Sequence, residues 1–251
     1  MYRSLDSAMI VATLEKLGRR VAERFPNAGL AKVCAELTQI ARENDTRAQM
    51  LVRPNYVLRI LSAAVMLAGL ALIGYVSTQI EVKRDTESIF STLQGIDAGL
   101  NIVLVAGATV IFLATLESRW KRQQALGDLD ELRSIIHVID MHQLTKDPAT
   151  SVADATPASP IRTLAPHELV RYLDYCSEML SMAAKVAAVY AQSTKDPLVV
   201  AASSDLQQIT ANLSAKIWQK ITIAQSVVMA QTSAMADVAS IAAGTARDRG
   251  V

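Results

Sequence analysis

Residues 60–76 read ILSAAVMLAGLALIGYV, a run without a single charge. With Tyr56 to Arg59 added, it reaches the roughly 20 residues that a helix needs to cross the hydrocarbon of a bilayer. A second uncharged run, AGLNIVLVAGATVIFLATL, fills residues 98–116, with Asn101 its one strongly polar member. Soluble cores rarely supply two uncharged runs of this length. The flanks agree, since Tyr56 and Tyr75 stand at opposite ends of the first run and Trp120 follows the second. Amphipathic rings settle at that headgroup level. Arg59 is close enough to its end to snorkel to the interface. These stretches predict membrane helices over 54–76 and 98–118.

Basic residues set the direction of crossing. Arg42, Arg47, Arg53 and Arg59 precede the first span, and Arg119, Lys121, Arg122 and Arg133 follow the second, whereas the loop between them has only Lys83 and Arg84. Cytoplasmic flanks collect Lys and Arg, so the two helices are expected to be antiparallel, with both termini in the cytoplasm and residues 77–97 outside. Ile89, Phe90, Leu93 and Ile96 recur at helical spacing in that loop and predict one short turn of helix against the outer leaflet. The first sixteen residues include Asp6 and Glu15 and have no long apolar core, which excludes a signal peptide and leaves insertion to an internal segment. A short outer loop and no cleavable leader suit a multi-pass protein of a bacterial inner membrane.

Within the spans, Ala64 and Ala68 are four apart, and Gly69, Gly74, Gly99 and Gly107 add notches for close backbone approach. Asn101 has two readings: a hydrogen bond across helices, a gain on the order of 1 kcal/mol, or the lining of a polar path through an oligomer. Only Thr109 and Thr115 accompany it, so packing is the stronger reading. Arg53, Arg59, Arg119, Lys121 and Arg122 read as topology anchors, with lipid headgroups as a secondary use.

The remaining sequence predicts helices in water. Hydrophobic residues make up 51% of the 251, charged residues 20% and aromatics 4%. The excess is Ala, Leu, Val and Ile, which favours an all-α chain over a β-sandwich. Twenty-five basic against 24 acidic side chains give a net charge of +1, and no global field to draw nucleic acid. Cys34 and Cys176 lie far apart in apolar helical patterns, as reduced and buried thiols do.

Residues 1–53 predict a helical hairpin, with Leu14, Leu17, Val21 and Phe25 on one arm, a break at Pro26 and Asn27, and Leu30, Val33, Leu37 and Ile40 on the other. Pro54 suits the first turn of the membrane helix. Residues 119–147 predict a cytoplasmic stalk through Leu129, Leu132, Ile136 and Ile139, ended by Lys146, Asp147 and Pro148. Residues 148–166, with Pro148, Pro157, Pro160 and Pro166 among Ala, Ser and Thr, read as a linker. Residues 167–246 predict further cytoplasmic helices. Pro166 and the pair Asp196-Pro197 open them, and Leu206, Leu213, Ile217, Ala224, Val228, Met235, Val238 and Ala242 space a bundle or coiled coil. Residues 247–251 read as a flexible tail. Residues 221–236 carry no charge, but Gln225, Gln231, Ser226 and Ser233 argue against a third span.

Chemistry is sparse. His137, Asp140 and His142 form the densest polar cluster, yet five residues separate the two histidines, unlike any common zinc spacing. A metal or acid–base site there would need partners such as His167, Glu168 or Asp174; helix capping is the simpler role. Phosphate-binding glycine loops, nucleophile elbows and CxxC pairs are absent. No cofactor is implied, and an enzyme is the minority reading. The favoured expectation is an oligomeric membrane protein, with the bilayer, further copies of itself and a cytoplasmic protein as partners, acting as effector, pore or scaffold. In layout alone it resembles bacterial two-helix membrane effectors with cytoplasmic helical domains, such as those of the SLATT class.

Overall fold

A computed structural model describes residues 4–79, 89–146, 148 and 164–248. The described elements are all helices: α1 Ser7–Arg24, α2 Gly29–Val52, α3 Tyr56–Gln79, α4 Ile89–Leu144, α5 Pro166–Ser193 and α6 Pro197–Asp248. They fall into two compact units. One comprises Met1–Gln49 and Ala125–Val251; the other comprises Met50–Gln124. α4 contributes to both without a break.

The first unit holds the entire described core. α1 is an amphipathic helix capped by Asp6, whose side chain accepts from the amides of Ala8 and Met9, and it buries Ile10, Leu14, Leu17 and Val21. That spacing of three or four residues keeps one stripe out of water. Leu30, Val33, Cys34 and Leu37 of α2 join it, as do Leu129, Leu132, Ile136 and Ile139 of α4. α5 begins with Pro166, and Glu168 accepts from the amide of Ala165 at 2.9 Å. α5 buries both edges of a wide stripe, from Tyr172 to Tyr190. Asp196 caps α6 by accepting from the Leu198 amide at 3.0 Å. Buried positions on α6 run Val199, Ser203, Leu206, Thr210, Leu213, Ile217, Ile221 and Ala224. Ser203 donates to the carbonyl of Ala187 at 2.7 Å, fixing how α5 and α6 pair.

Several element ends differ from the sequence expectation. Pro54 lies ahead of α3 instead of in its first turn, because Asn55 accepts from the Leu58 amide at 3.2 Å and so starts the helix after itself. Ile89 and Phe90 open α4, so this segment is continuous with the second apolar run and is no separate turn. α6 runs through Asp248 and takes in the first two residues of the expected tail. Residues 80–88 of the expected outer loop and 149–163 of the expected linker lie outside the described residues.

Candidate functional site

The second unit has an inverted surface. No described residue between Met50 and Gln124 belongs to the buried core. α3 and α4 each contain a stretch long and apolar enough to cross a membrane, and none of it is buried within the protein. Val57 is 77% exposed, Ile60 69% and Val103 70%. Leu58, Ser62 and Met66 are half-buried along one line of α3, and Ala106, Leu113 and Glu117 are half-buried on α4. Each helix thus keeps a narrow shielded stripe and turns its remaining apolar surface outward.

The small residues expected to act as packing notches lie off that stripe. Ala64, Ala68 and Gly69 are exposed, and a Cβ added at Gly69, Gly74, Gly99 or Gly107 would meet nothing within 4 Å. Asn101 is exposed as well. Leu58, Ser62 and Met66 occupy the shielded line of α3, so none of these four glycines serves as a notch within one chain.

Glu117 organises the charged end of this unit. Its Oε1 accepts from the Asn55 amide at 2.9 Å, and its Oε2 pairs with Arg59 Nε at 2.6 Å. Lys121 Nζ lies 2.9 Å from Oε1 and also donates to the carbonyls of Leu51, at 3.0 Å, and Arg53, at 2.6 Å. One carboxylate therefore accepts from an orphan amide at the start of α3, while its lysine partner donates to orphan carbonyls at and just past the end of α2. Sequence reasoning missed Glu117. The signal was present: it is the first charge after an uncharged run, and it sits among cations. The five expected anchors are divided accordingly. Arg59 and Lys121 pair with Glu117, the Arg119 guanidinium lies 5.7 Å from the Phe112 ring centroid, Arg53 is exposed and Arg122 is half-buried.

In the first unit the polar centre is Asp128. Tyr190, fully buried, donates to its Oδ2 at 2.9 Å, and Arg47 donates to its Oδ1 at 2.6 Å. Arg47 also pairs with Glu43 at 3.1 Å and Glu131 at 3.4 Å. The carboxylate hydrogen bond, against some desolvation, holds Arg47 above the ordinary guanidinium range. Burial, then the Asp128 charge, drives the Tyr190 phenol far above its ordinary value. Three helices, α2, α4 and α5, meet at this carboxylate. Burial also raises the thiol of Cys34 to about 11 and that of Cys176 to about 12. Burial thus disfavours the thiolate, the nucleophilic form, at both positions.

The histidine cluster disperses at the end of α4. His137 is exposed; His142 packs its ring against Gly29 and lies 3.4 Å from the Tyr172 hydroxyl. Asp140 accepts from Gln143 at 2.5 Å, and Gln143 in turn accepts from Lys220 through its side chain at 2.7 Å and its carbonyl at 3.0 Å. Among the described residues no group of three or more His, Cys, Asp or Glu side chains could hold a metal ion. A cavity of about 10 Å³ lies between Ser7, Ile10, Ala41, Asn44, Val186 and Val189, room for roughly one water molecule. Both amide atoms of Asn44 are buried there without a protein partner.

What this defines is a class only: an all-helical chain with one ordinary core and two long helices whose apolar stretches are left unburied. No family model matches the chain, and neither does any curated protein or solved structure.

Proposed function

We propose that this chain is an oligomeric integral membrane protein. Residues 54–76 and 98–118 cross the bilayer as an antiparallel pair, both termini are cytoplasmic, and the water-soluble helices act as the platform for a protein partner or signal. The observation that carries this reading is the exposure of the apolar side chains of α3 and α4. Each large side chain left in water forgoes about 1.5–3 kcal/mol of burial. A dozen forgo on the order of 20–30 kcal/mol, more than the roughly 5–15 kcal/mol by which a whole domain is stable. Lipid removes that deficit. Glu117 supports the antiparallel arrangement, since it joins Arg59, near the start of α3, to the residue that follows the apolar run of α4. The outward Gly69, Gly107, Ala64 and Ala68 offer close approach to a second copy, and Asn101 a polar contact there. Effector, pore and scaffold are versions of this one reading.

Carbonate extraction of membranes that express the full chain tests it. The protein should stay in the pellet, and protease added to sealed inverted vesicles should remove both ends. Release into the supernatant, or protection of either terminus, overturns the proposal.

A further inference from the structure

The charged end of the second unit holds more cations than it can pair internally. Arg53, Arg59, Arg119, Lys121 and Arg122 stand there, and Glu117 is the one carboxylate among residues 50–79 and 98–124. Both of its oxygens are occupied, Oε1 by the Asn55 amide and Lys121, Oε2 by Arg59. Arg119 is left out of this arrangement. It follows Glu117 by two residues, which turns it about 200° round the helix, and among the described residues no carboxylate pairs with it.

Instead the Arg119 guanidinium is laid back over Phe112, about two turns nearer the middle of the apolar run, with Cζ 5.7 Å from the ring centroid. Attraction to the ring face holds the charge there. Phe112 is itself half exposed, so this cation lies beside apolar surface that the protein does not cover. Exposed Tyr56 and Trp120 mark the adjoining level as the headgroup zone. A charge carried at that depth by a membrane helix needs a counter-ion. The chain supplies none on this face, and the anion that a bilayer presents there is the lipid phosphate. A guanidinium fork matches two phosphate oxygens at once. Phosphatidylcholine carries its own cation beside that phosphate, whereas phosphatidylglycerol carries none, so the surplus of positive charge favours the anionic lipid.

The geometry points to a phospholipid-phosphate site on the outward face of α4, with Arg119, laid over Phe112, as its ligand and an anionic phospholipid as its occupant. Arg59 and Lys121, paired with Glu117, stay outside it. The inference rests on the membrane reading above and names one lipid contact within it.

Trp120 is a built-in reporter, since it adjoins Arg119 and is one of two tryptophans in the chain. With the exposed Trp218 changed to Phe, the full chain is reconstituted into phosphatidylcholine vesicles that contain brominated phosphatidylglycerol or, in a matched set, brominated phosphatidylcholine. Quenching of Trp120 emission then gives the relative affinity for the two lipids. Phosphatidylglycerol should be favoured by about three-fold or more, and Arg119→Gln should abolish the preference. Arg19→Gln combined with Arg24→Gln, which removes exposed cations from the first unit, should leave it unchanged. Equal quenching by both lipids in the parent, or a preference that survives Arg119→Gln, overturns the site and leaves the membrane reading standing. A preference abolished by inorganic phosphate, but not by chloride of equal ionic strength, assigns the site to a soluble anion and also overturns it. Trp120 emission quenched by neither lipid overturns the membrane reading and the site together.

Discussion

α3 and α5 are of similar length, 24 and 28 residues, and both are rich in aliphatic side chains, yet their surfaces have opposite fates. α5 sinks Leu173, Cys176, Leu180, Ala183 and Tyr190 completely, whereas α3 leaves Val57, Ile60, Leu67 and Leu70 exposed. Distribution around the helix makes the difference. α5 interleaves its apolar positions with Glu168, Arg171, Asp174, Glu178 and Lys185, which give it a face for water, while α3 beyond Arg59 has no charge with which to make one. A one-sided helix is completed by other helices; an all-round apolar helix is completed by its solvent.

The largest effect that separates the two regions is loss of a methyl-bearing side chain. Leu132→Ala, in the core of the first unit, should lower stability by about 2–5 kcal/mol in denaturant unfolding, through lost transfer energy and the cavity left behind. Leu70→Ala, two-thirds exposed on α3, should cost under about 0.5 kcal/mol in the same detergent. Equal losses would break the comparison.

Removal of the buried carboxylate comes next. Asp128→Ala leaves the Tyr190 hydroxyl without its acceptor and Arg47 without its shortest partner, at a cost of about 1–3 kcal/mol. Tyr190→Phe should cost about 1 kcal/mol, and in a double-mutant cycle the two losses should fall short of additive.

The thiols give a pH signature confined to the first unit. Folding raises Cys34 to about 11 and Cys176 to about 12 from the ordinary 9.0. The folded state therefore retains protons that the unfolded chain releases. This contribution is whole below pH 9, and it is lost as pH rises through 9 towards 11 and 12. At pH 10 the loss is about 1 kcal/mol per thiol. Cys34→Ala with Cys176→Ala should flatten the fall in melting temperature between pH 8 and pH 10. The smallest effect belongs to the second unit: Glu117→Gln weakens its pairs with the exposed Arg59 and with Lys121, and should shift unfolding in detergent by about 1 kcal/mol or less.

Much of the helical layout could be read from residue spacing, because Pro166 and Asp196-Pro197 act within a few residues of their own helices and need no distant partner. The polar centres could not be read in this way. Asp128 looks like any solvated acid beside Asp130 and Glu131 until Tyr190, distant in sequence, is brought against it. Glu117 was hidden because positive flanks draw the eye, although Arg59 and Lys121 require an anion nearby to sit together. The histidine cluster shows the converse: His137 and His142 are near in sequence, yet one is exposed and the other packs against Gly29 and the Tyr172 hydroxyl.

By itself, the sequence determined an all-helical chain and the two stretches whose apolar surface continues around the whole helix, because helix formation and uniform hydrophobicity are local properties. Only the tertiary structure decided which helices shield one another, and that Glu117 and Asp128 are the carboxylates around which charges gather. Those outcomes depend on residues tens of positions apart, and no spacing along the chain encodes the distance between them.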